Sequence, residues 1–125
     1  MPSKMSKIVV VEDHAGVRKT IERILKAGGF EVAMFDSAKA ALNAGAVDTA
    51  DCLVVDVNLP GMSGFELYRQ RALSSKPMPT IFITAGDEPA AREQAERFVG
   101  VGSYVPKPFF GSDLLDAVTR ALRRR

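Results

Sequence analysis

The chain has 125 residues, enough for one domain with a substantial core and too few for two domains of ordinary size. Hydrophobic residues make up 46% of it and charged residues 26%, as is typical of soluble globular proteins, and no apolar run approaches the roughly 18 residues that a membrane span requires. The net charge of +2 comes from the last three residues, because without Arg123, Arg124 and Arg125 the chain has 14 basic and 15 acidic residues. The rest of the chain, residues 1–122, therefore has no excess of positive charge, which argues against direct nucleic-acid binding.

The single cysteine, Cys52, excludes an internal disulfide. We interpret it as a small core residue in a reducing compartment. Only a four-residue apolar run precedes Glu12 and Asp13, which is far short of a signal-peptide core. We therefore expect a cytoplasmic protein without membrane insertion.

The first half of the chain alternates β-like and helical patterns. A β-branched run at 8–11 (IVVV) predicts the first strand. Apolar residues then recur at helical spacing, at Val17, Ile21, Ile24 and Leu25. The glycines at 28–29 are expected to end this helix. Residues 30–35 alternate weakly and predict the second strand, and Ser37 is expected to cap an alanine-rich helix that ends near Ala46.

The third strand and the helix after it carry clear signals. Residues 52–57 are apolar except for Asp56, and the sequence NLPG that follows at 58–61 is typical of a turn. Ser63 and Glu66, three residues apart, form a capping box that predicts the start of the next helix.

The last third of the chain predicts two more strands and two more helices. Residues 79–84 (PTIFIT) predict the fourth strand, and residues 103–105 predict a short fifth. A weakly apolar helix between them is indicated by Ala91, Ala95, Phe98 and Val99. A final amphipathic helix is indicated by Leu114, Leu115, Val118 and Leu122, and we expect Ser112 to cap it.

These elements make five β/α units with short connections. Strands that are apolar on both faces, each followed by a helix, predict an α/β fold with a parallel sheet covered on both sides. In such a fold, ligands bind outside the carboxyl ends of the strands.

Five polar side chains fall at those carboxyl ends: Glu12, Asp13, Asp56, Thr84 and Lys107. Three neighbouring carboxylates repel one another unless a cation is present, and carboxylate oxygens suit Mg²⁺. A carboxylate is also a competent phosphoryl acceptor, and a lysine and a hydroxyl can stabilise the oxygens of a transferred phosphoryl group.

Each of these residues also has a simpler interpretation. Asp56 could cap a loop, and Glu12 and Asp13 could cap the first helix. Thr84 could be an ordinary strand residue and Lys107 a solvated surface charge. We interpret His14, the only histidine, as a surface loop residue rather than a metal ligand.

The chain resembles the receiver domain of two-component response regulators (the CheY-like superfamily) over about residues 6–123. The resemblance is carried by the segments VVVEDHAGVRKTIERIL, DCLVVDVNLPGMSGFEL, PTIFITAG and SYVPKPF. It implies a flavodoxin-like five-stranded parallel sheet of order 2-1-3-4-5 with five helices in a three-layer (βα)5 sandwich. We expect residues 1–6 to be a flexible tail and 7–125 a single receiver domain. The segment FDSAKAAL is also similar to receivers that precede a helix-turn-helix domain.

The resemblance assigns a role to each polar residue. It implies that Asp56 is the phosphoacceptor and that Thr84 and Lys107 bind the phosphoryl oxygens. The implied ligands of Mg²⁺ are Glu12, Asp13, Asp56 and the backbone carbonyl of Asn58. Thr84 and Tyr104 are the implied switch residues, and the Lys107–Pro108 bond is expected to be cis.

The family mechanism implies phosphoryl transfer from a sensor histidine kinase or a histidine phosphotransfer protein. Tyr104 would then turn inward, and the surface of the fourth helix, fifth strand and fifth helix would change. The output would pass to a downstream protein or to an effector domain not included in these residues, and a phosphorylation-dependent homodimer is a further expectation. The domain itself would not be an enzyme.

Two residues depart from the family pattern. Pro106 lacks an N–H, so the fifth strand is expected at the edge of the sheet, where proline is tolerated. Glu12 replaces the commoner aspartate and, being longer, is expected to contact the metal through water.

Two other functions remain open. One is a receiver-like interaction module that signals without phosphate. The other is an aspartyl-phosphate phosphohydrolase, which would need a second acid two residues after a first-strand nucleophile and a substrate cap, whereas this chain has adjacent acids.

Overall fold

The computed structural model describes residues 5–74, 78–85, 88–100 and 103–123. Within those ranges, strands and helices alternate along the chain. In chain order they are β1 (Lys7–Val11), α1 (Ala15–Ala27), β2 (Glu31–Phe35), α2 (Ala38–Asn43), α3 (Ala46–Thr49), β3 (Cys52–Asp56), α4 (Gly64–Ser74), β4 (Thr80–Ala85), α5 (Pro89–Phe98), β5 (Tyr104–Lys107) and α6 (Gly111–Arg123). The predicted tail falls mainly on residues 1–4, which lie outside the described residues.

The five strands form one parallel sheet of order β2-β1-β3-β4-β5, which confirms the predicted fold class and strand order. β5 is an edge strand, as the proline at position 106 requires. Pro106 pairs in register with Thr84 of β4 and Lys107 with Ala85. Proline is tolerated there because an edge strand need not donate on its outer side.

The core lies in two layers, one on each face of the sheet. Successive strand residues point to opposite faces, so Val9 and Val11 contribute to one layer and Ile8 and Val10 to the other. Side chains from α2, α3, α4 and α5 complete the first layer, and side chains from α1 and α6 complete the second. All four of these β1 side chains are fully buried, which explains why the strand is apolar after Lys7.

The prediction of five helices was wrong, because the described residues contain a sixth. The alanine-rich helix ends at Asn43, and Gly45 adopts φ +68°, a left-handed conformation that suits glycine. A short helix, α3, then begins at Ala46, where the sequence predicted the end of the preceding one. The fourth and fifth predicted helices are therefore α5 and α6.

Two of the predicted helix caps are confirmed. Ser37 accepts a hydrogen bond from the N–H of Ala40 at 3.0 Å and caps α2. Ser63 and Glu66 form the reciprocal capping box of α4: the Ser63 N–H donates to Glu66 at 2.9 Å, and the Glu66 N–H donates to Ser63 Oγ at 3.1 Å.

The other two caps differ from the prediction. α1 is capped by His14, whose Nδ1 accepts from the Val17 N–H at 3.3 Å, so the surface histidine has a structural role that Asp13 was expected to fill. α6 begins at Gly111, before Ser112, and Asp113 accepts from the N–H of Phe110 at 3.0 Å. The predicted cap at Ser112 was wrong because the acid in the first turn takes that role.

Strand ends differ from the prediction by one or two residues. The important case is β5, which extends through Lys107 and therefore fixes this residue on the sheet. The Lys107–Pro108 bond is cis, as expected. Among the described residues, no helix has the length and apolar character needed to cross a bilayer.

Candidate functional site at the carboxyl edge of the sheet

Three carboxylates meet where β1 and β3 end. Glu12 and Asp13 follow the last residue of β1, and Asp56 is the last residue of β3. One carboxylate oxygen of each lies within 4.8 Å of the others. Glu12 and Asp56 are buried, with exposed fractions of 1% and 5%, whereas Asp13 is exposed. The cluster is therefore buried on one side and open to solvent on the other.

Both oxygens of Asp56 have polar partners. Oδ1 accepts the backbone N–H of Asn58 at 2.8 Å, and Oδ2 accepts the ammonium of Lys107 at 3.0 Å. The Lys107 ammonium also lies 3.2 Å from Glu12 Oε1. One lysine thus bridges two buried carboxylates, and its position on β5 holds it across β4 from Asp56.

The second buried acid, Glu12, is less fully satisfied. Its Oε2 accepts the N–H of His14 at 3.1 Å, but its buried Oε1 accepts no hydrogen bond of good geometry from the described residues and has only the ion pair with Lys107. Burial raises the pKa of the Glu12 carboxyl, and the charge of Asp56 adds to that effect, while the His14 N–H and the Lys107 charge oppose it.

The lysine stays charged in this setting. Burial lowers the pKa of Lys107, but the hydrogen bond to Asp56 and the charges of Asp56 and Glu12 outweigh burial, so that the pKa rises above its usual value. The site therefore holds a permanent cation beside the Asp56 carboxylate.

The site fits a divalent cation. The three side chains offer hard oxygen ligands, and the open side at Asp13 leaves room for water, which suits Mg²⁺. The buried Oε1 of Glu12 also lacks a hydrogen-bond donor that a metal-bound water could supply. Asn58 is exposed two residues after Asp56, in the turn that borders the cluster.

Thr84 and Tyr104 form a second group of polar contacts, separate from the hydrogen bonds that Asp56 accepts from Asn58 and Lys107. The buried Thr84 hydroxyl donates to the Tyr104 hydroxyl oxygen at 3.0 Å. The N–H of Glu88 donates to the same oxygen at 2.8 Å, and the Tyr104 hydroxyl donates to the Glu88 carbonyl at 3.3 Å. Tyr104 is only 8% exposed, so its ring already lies inward in this structure.

Sequence reasoning missed Gly64, the first residue of α4. A Cβ at this position would lie 2.5 Å from the backbone oxygen of Asp56, which is too close for a carbon atom, and 3.1 Å from the Cα of Val57, which is a tight contact. The missing side chain lets the start of α4 approach the phosphoacceptor candidate closely, with the Gly64 N–H donating to the Val57 carbonyl at 3.1 Å. A glycine directly after the capping serine, Ser63, was the available signal.

Arg18 was also missed. Its guanidinium Nη1 lies 2.9 Å from the carbonyl oxygen of Glu12 and 3.4 Å from that of Asp13, so it contacts the backbone of both acids. The available signal was a basic residue five positions after the acidic pair, at the beginning of the helical pattern that includes Val17.

A family model described as "Response regulator receiver domain" matches residues 8–119 of the chain. This range contains the whole of the candidate site and, except for Lys7, all five strands. The chain belongs to the response regulator receiver domain family.

Curated relatives agree with this assignment. The chain is 36% identical over 118 residues to nodulation protein W of Bradyrhizobium diazoefficiens, covering 94% of this chain and 51% of that protein. It is 36% identical over 119 residues to the response regulator MprA of Mycolicibacterium vanbaalenii, covering 95% and 51%. It is 33% identical over 118 residues to the transcriptional regulatory protein FixJ of Bradyrhizobium diazoefficiens, covering 94% and 57%. The chain thus spans about half the length of these relatives.

Solved structures show the same fold. A receiver domain from Clostridium thermocellum superposes with a TM-score of 0.85 at 24% identity, covering 96% of both chains. A structure described as the BeF3-activated DrrB receiver domain superposes with a TM-score of 0.84 at 28% identity, covering 97% of this chain and all of that one.

Proposed function

We propose that this receiver domain accepts a phosphoryl group on Asp56 from a phosphohistidine, in a reaction that depends on Mg²⁺. The observation that carries the proposal is the double contact of Lys107 with the buried carboxylates of Asp56 and Glu12, beside the exposed Asp13. An ordinary surface salt bridge is exposed, whereas Glu12 and Asp56 are both buried. A salt bridge with only a structural role also gives no reason for a third carboxylate, that of Asp13, to lie beside it.

The Asp56 carboxylate is the nucleophile in this proposal. One of its oxygens forms a bond to phosphorus while the bond from phosphorus to the histidine nitrogen breaks, leaving the electron pair on that nitrogen. The Asn58 N–H and the Lys107 ammonium orient the carboxylate before the reaction. Lys107 then donates hydrogen bonds to the oxygens of the new acyl phosphate. A cation held beside these oxygens stabilises the negative charge that develops on them.

Mg²⁺ would be held by the carboxylates of Asp13 and Asp56 and by the carbonyl of Asn58, with Glu12 acting through water. When bound, it neutralises the mutual repulsion of the acids and the charge of the phosphoryl oxygens. The three clustered carboxylates support this assignment, and the buried Oε1 of Glu12 supports a water-mediated role for that residue.

The switch in this proposal turns on one proton of Thr84. Its hydroxyl has a single hydrogen, which is donated to Tyr104 in this structure. Donating that hydrogen to a phosphoryl oxygen instead would break this bond, whereas the hydrogen bonds between the Tyr104 hydroxyl and Glu88 do not depend on it. Phosphorylation would thereby change the surface of α5, β5 and α6.

The partners follow from the chemistry. The donor would be a sensor histidine kinase or a histidine phosphotransfer protein. The output would pass to a downstream protein or to an effector domain, such as one in the half of each relative that this chain does not match. A phosphorylation-dependent homodimer would be a further output. The domain would act as a signalling phosphoacceptor rather than an enzyme, without binding nucleic acid directly. A cytoplasmic location fits the buried Cys52, which forms no disulfide.

The test is incubation with a small phosphodonor and Mg²⁺, followed by intact-protein mass spectrometry. We expect a gain of one phosphoryl group that disappears in Asp56→Asn or on addition of a chelator, and that persists in the control Asp116→Asn, an exposed acid of α6. Multiple turnover on phosphate esters would instead indicate a phosphohydrolase.

A phosphate-independent interaction module is the second candidate, because Tyr104 already occupies an inward position. The absence of any mass gain, together with unchanged partner binding in Asp56→Asn, would favour that function and contradict our proposal.

A further inference from the structure

We propose that Arg18 is a positioning residue that holds the turn carrying Glu12 and Asp13 in its ion-binding arrangement. The inference rests on the proposed function, since it concerns the affinity of that site for Mg²⁺.

The geometry of the turn places Arg18 behind the acids. Only residues 12–14 connect β1 to α1, and Arg18 lies one helical turn along α1, with its own N–H donating to the His14 carbonyl at 2.9 Å. Its side chain folds back over the turn, where Nη1 is 2.9 Å from the Glu12 carbonyl oxygen and 3.4 Å from the Asp13 carbonyl oxygen. Nη1 carries two hydrogens, enough for both acceptors.

These two contacts matter most for Asp13. Among the described residues, no hydrogen bond holds the Asp13 carboxylate, so the backbone of the turn, which places the Cβ, is what fixes the origin of this exposed side chain. The Glu12 and Asp13 carbonyl groups belong to the two peptide planes that flank the Asp13 Cα. Holding both carbonyl groups in place fixes those planes and therefore the direction of the Cα–Cβ bond of Asp13. Glu12, by contrast, is also held by the His14 N–H and by Lys107.

Charge adds to the effect of position. Three carboxylates within 4.8 Å repel one another, and the repulsion favours a wider spacing of the turn. Arg18 is half-buried and cannot lose its proton, so it places a fixed positive charge on the backbone side of the cluster and leaves the solvent side open for an ion. A guanidinium in this position acts through the ligands and does not touch the ion.

A purely structural role for Arg18 would have a different signature. If it only stabilised the start of α1, its removal would lower the free energy of unfolding and leave the affinity of the folded protein for Mg²⁺ unchanged. Residues that orient metal ligands typically change metal affinity about 10- to 100-fold when removed.

The test measures Mg²⁺ binding by calorimetry and by NMR titration of the folded protein. We expect Arg18→Gln to weaken Mg²⁺ binding about tenfold, Arg18→Lys to recover part of the loss, and the control Arg23→Gln, which removes the same charge from an exposed position of α1, to bind like the unsubstituted protein. Phosphorylation of Arg18→Gln by a small phosphodonor should recover when Mg²⁺ is raised to saturation.

The outcomes separate the two proposals. If the unsubstituted protein binds no Mg²⁺, the proposed function fails. If it binds Mg²⁺ and Arg18→Gln binds it equally well, only the role of Arg18 is overturned. Should Arg18→Gln not fold, the Mg²⁺ affinity of folded Arg18→Lys decides: binding weaker than that of the unsubstituted protein supports the proposal, and equal binding overturns it.

Discussion

The two helices that flank β5 are attached to the sheet in different ways. α6 buries two large side chains completely, Leu114 and Val118, together with two alanines. α5 buries only Ala91 and Ala95. Because apolar burial scales with the area removed from water, α6 is fixed by its core face, whereas α5 gains little from its own.

Polar and aromatic contacts at its two ends hold α5 instead. At its start, the backbone of Glu88 exchanges hydrogen bonds with the Tyr104 hydroxyl. At its end, the Tyr68 hydroxyl donates to the Phe98 carbonyl at 3.1 Å, and the two rings stack with centroids 5.8 Å apart. We therefore expect a change at Tyr104 to act first on the start of α5, because the end of α5 is held by Tyr68 and α6 is held by its buried face.

The largest expected difference between the helices concerns stability. Leu114→Ala should lower the free energy of unfolding by about 2–5 kcal/mol, because it leaves a cavity under a fully buried side chain. Ala95→Gly in α5 should cost only about 1 kcal/mol, mostly from helix propensity. Urea denaturation measures both, and similar losses would contradict the contrast between α5 and α6.

A smaller effect is expected from Tyr104→Phe, which removes the hydroxyl that joins Thr84 to Glu88. The lost hydrogen bonds should cost about 1 kcal/mol in total stability, because the exposed Glu88 backbone regains water. Hydrogen exchange should accelerate in the first turn of α5 and stay unchanged in α6. Equal acceleration in both helices would show that they move as one unit.

Arg92→Gln should have a still smaller effect. The Arg92 guanidinium lies 4.9 Å from the centre of the Tyr104 ring, and an exposed cation–π contact of this kind contributes about 0.5–1 kcal/mol. We expect NMR signals of the Tyr104 ring to show greater motion, with Arg97→Gln, on the same helix, as the control. Identical Tyr104 ring signals in the two variants would show that Arg92 does not restrict the motion of the ring.

The smallest effect concerns the caps of α4 and α5. α5 begins without a side-chain cap, whereas Glu66 completes the capping box of α4. Hydrogen bonds from the Ser63 backbone and hydroxyl, in that order, lower the pKa of Glu66. Because this pKa is lowered on folding, the stabilisation is present above the unfolded value and is lost as pH falls through the folded one. Ser63→Ala should raise the pKa of Glu66 in a carboxylate NMR titration, and an unchanged value would exclude the hydroxyl as a cause.

Much of the site could be predicted because its polar residues lie directly beside apolar runs that predict strands. Asp56 interrupts an apolar run, and an acid there is costly without partners, which pointed to the site before any contact was known. Glu12 and Lys107 could be placed at the same edge because each follows a predicted strand of the parallel sheet. The helix count was wrong because one glycine, Gly45, adopts a left-handed conformation that the alanine-rich pattern around it does not reveal.

Local patterns were enough to predict where each strand lies along the chain, that the sheet is parallel and at which edge the polar residues gather, because periodicity and turn chemistry act over a few residues. The spatial order of the strands was predicted only from the family resemblance. Only the tertiary structure decided that one lysine bridges Asp56, 51 residues away, and Glu12, and that Tyr104 lies inward on Thr84. It also decided that Arg18 folds back on the acids. Those distances depend on how separate elements pack against one another, and no local pattern encodes them.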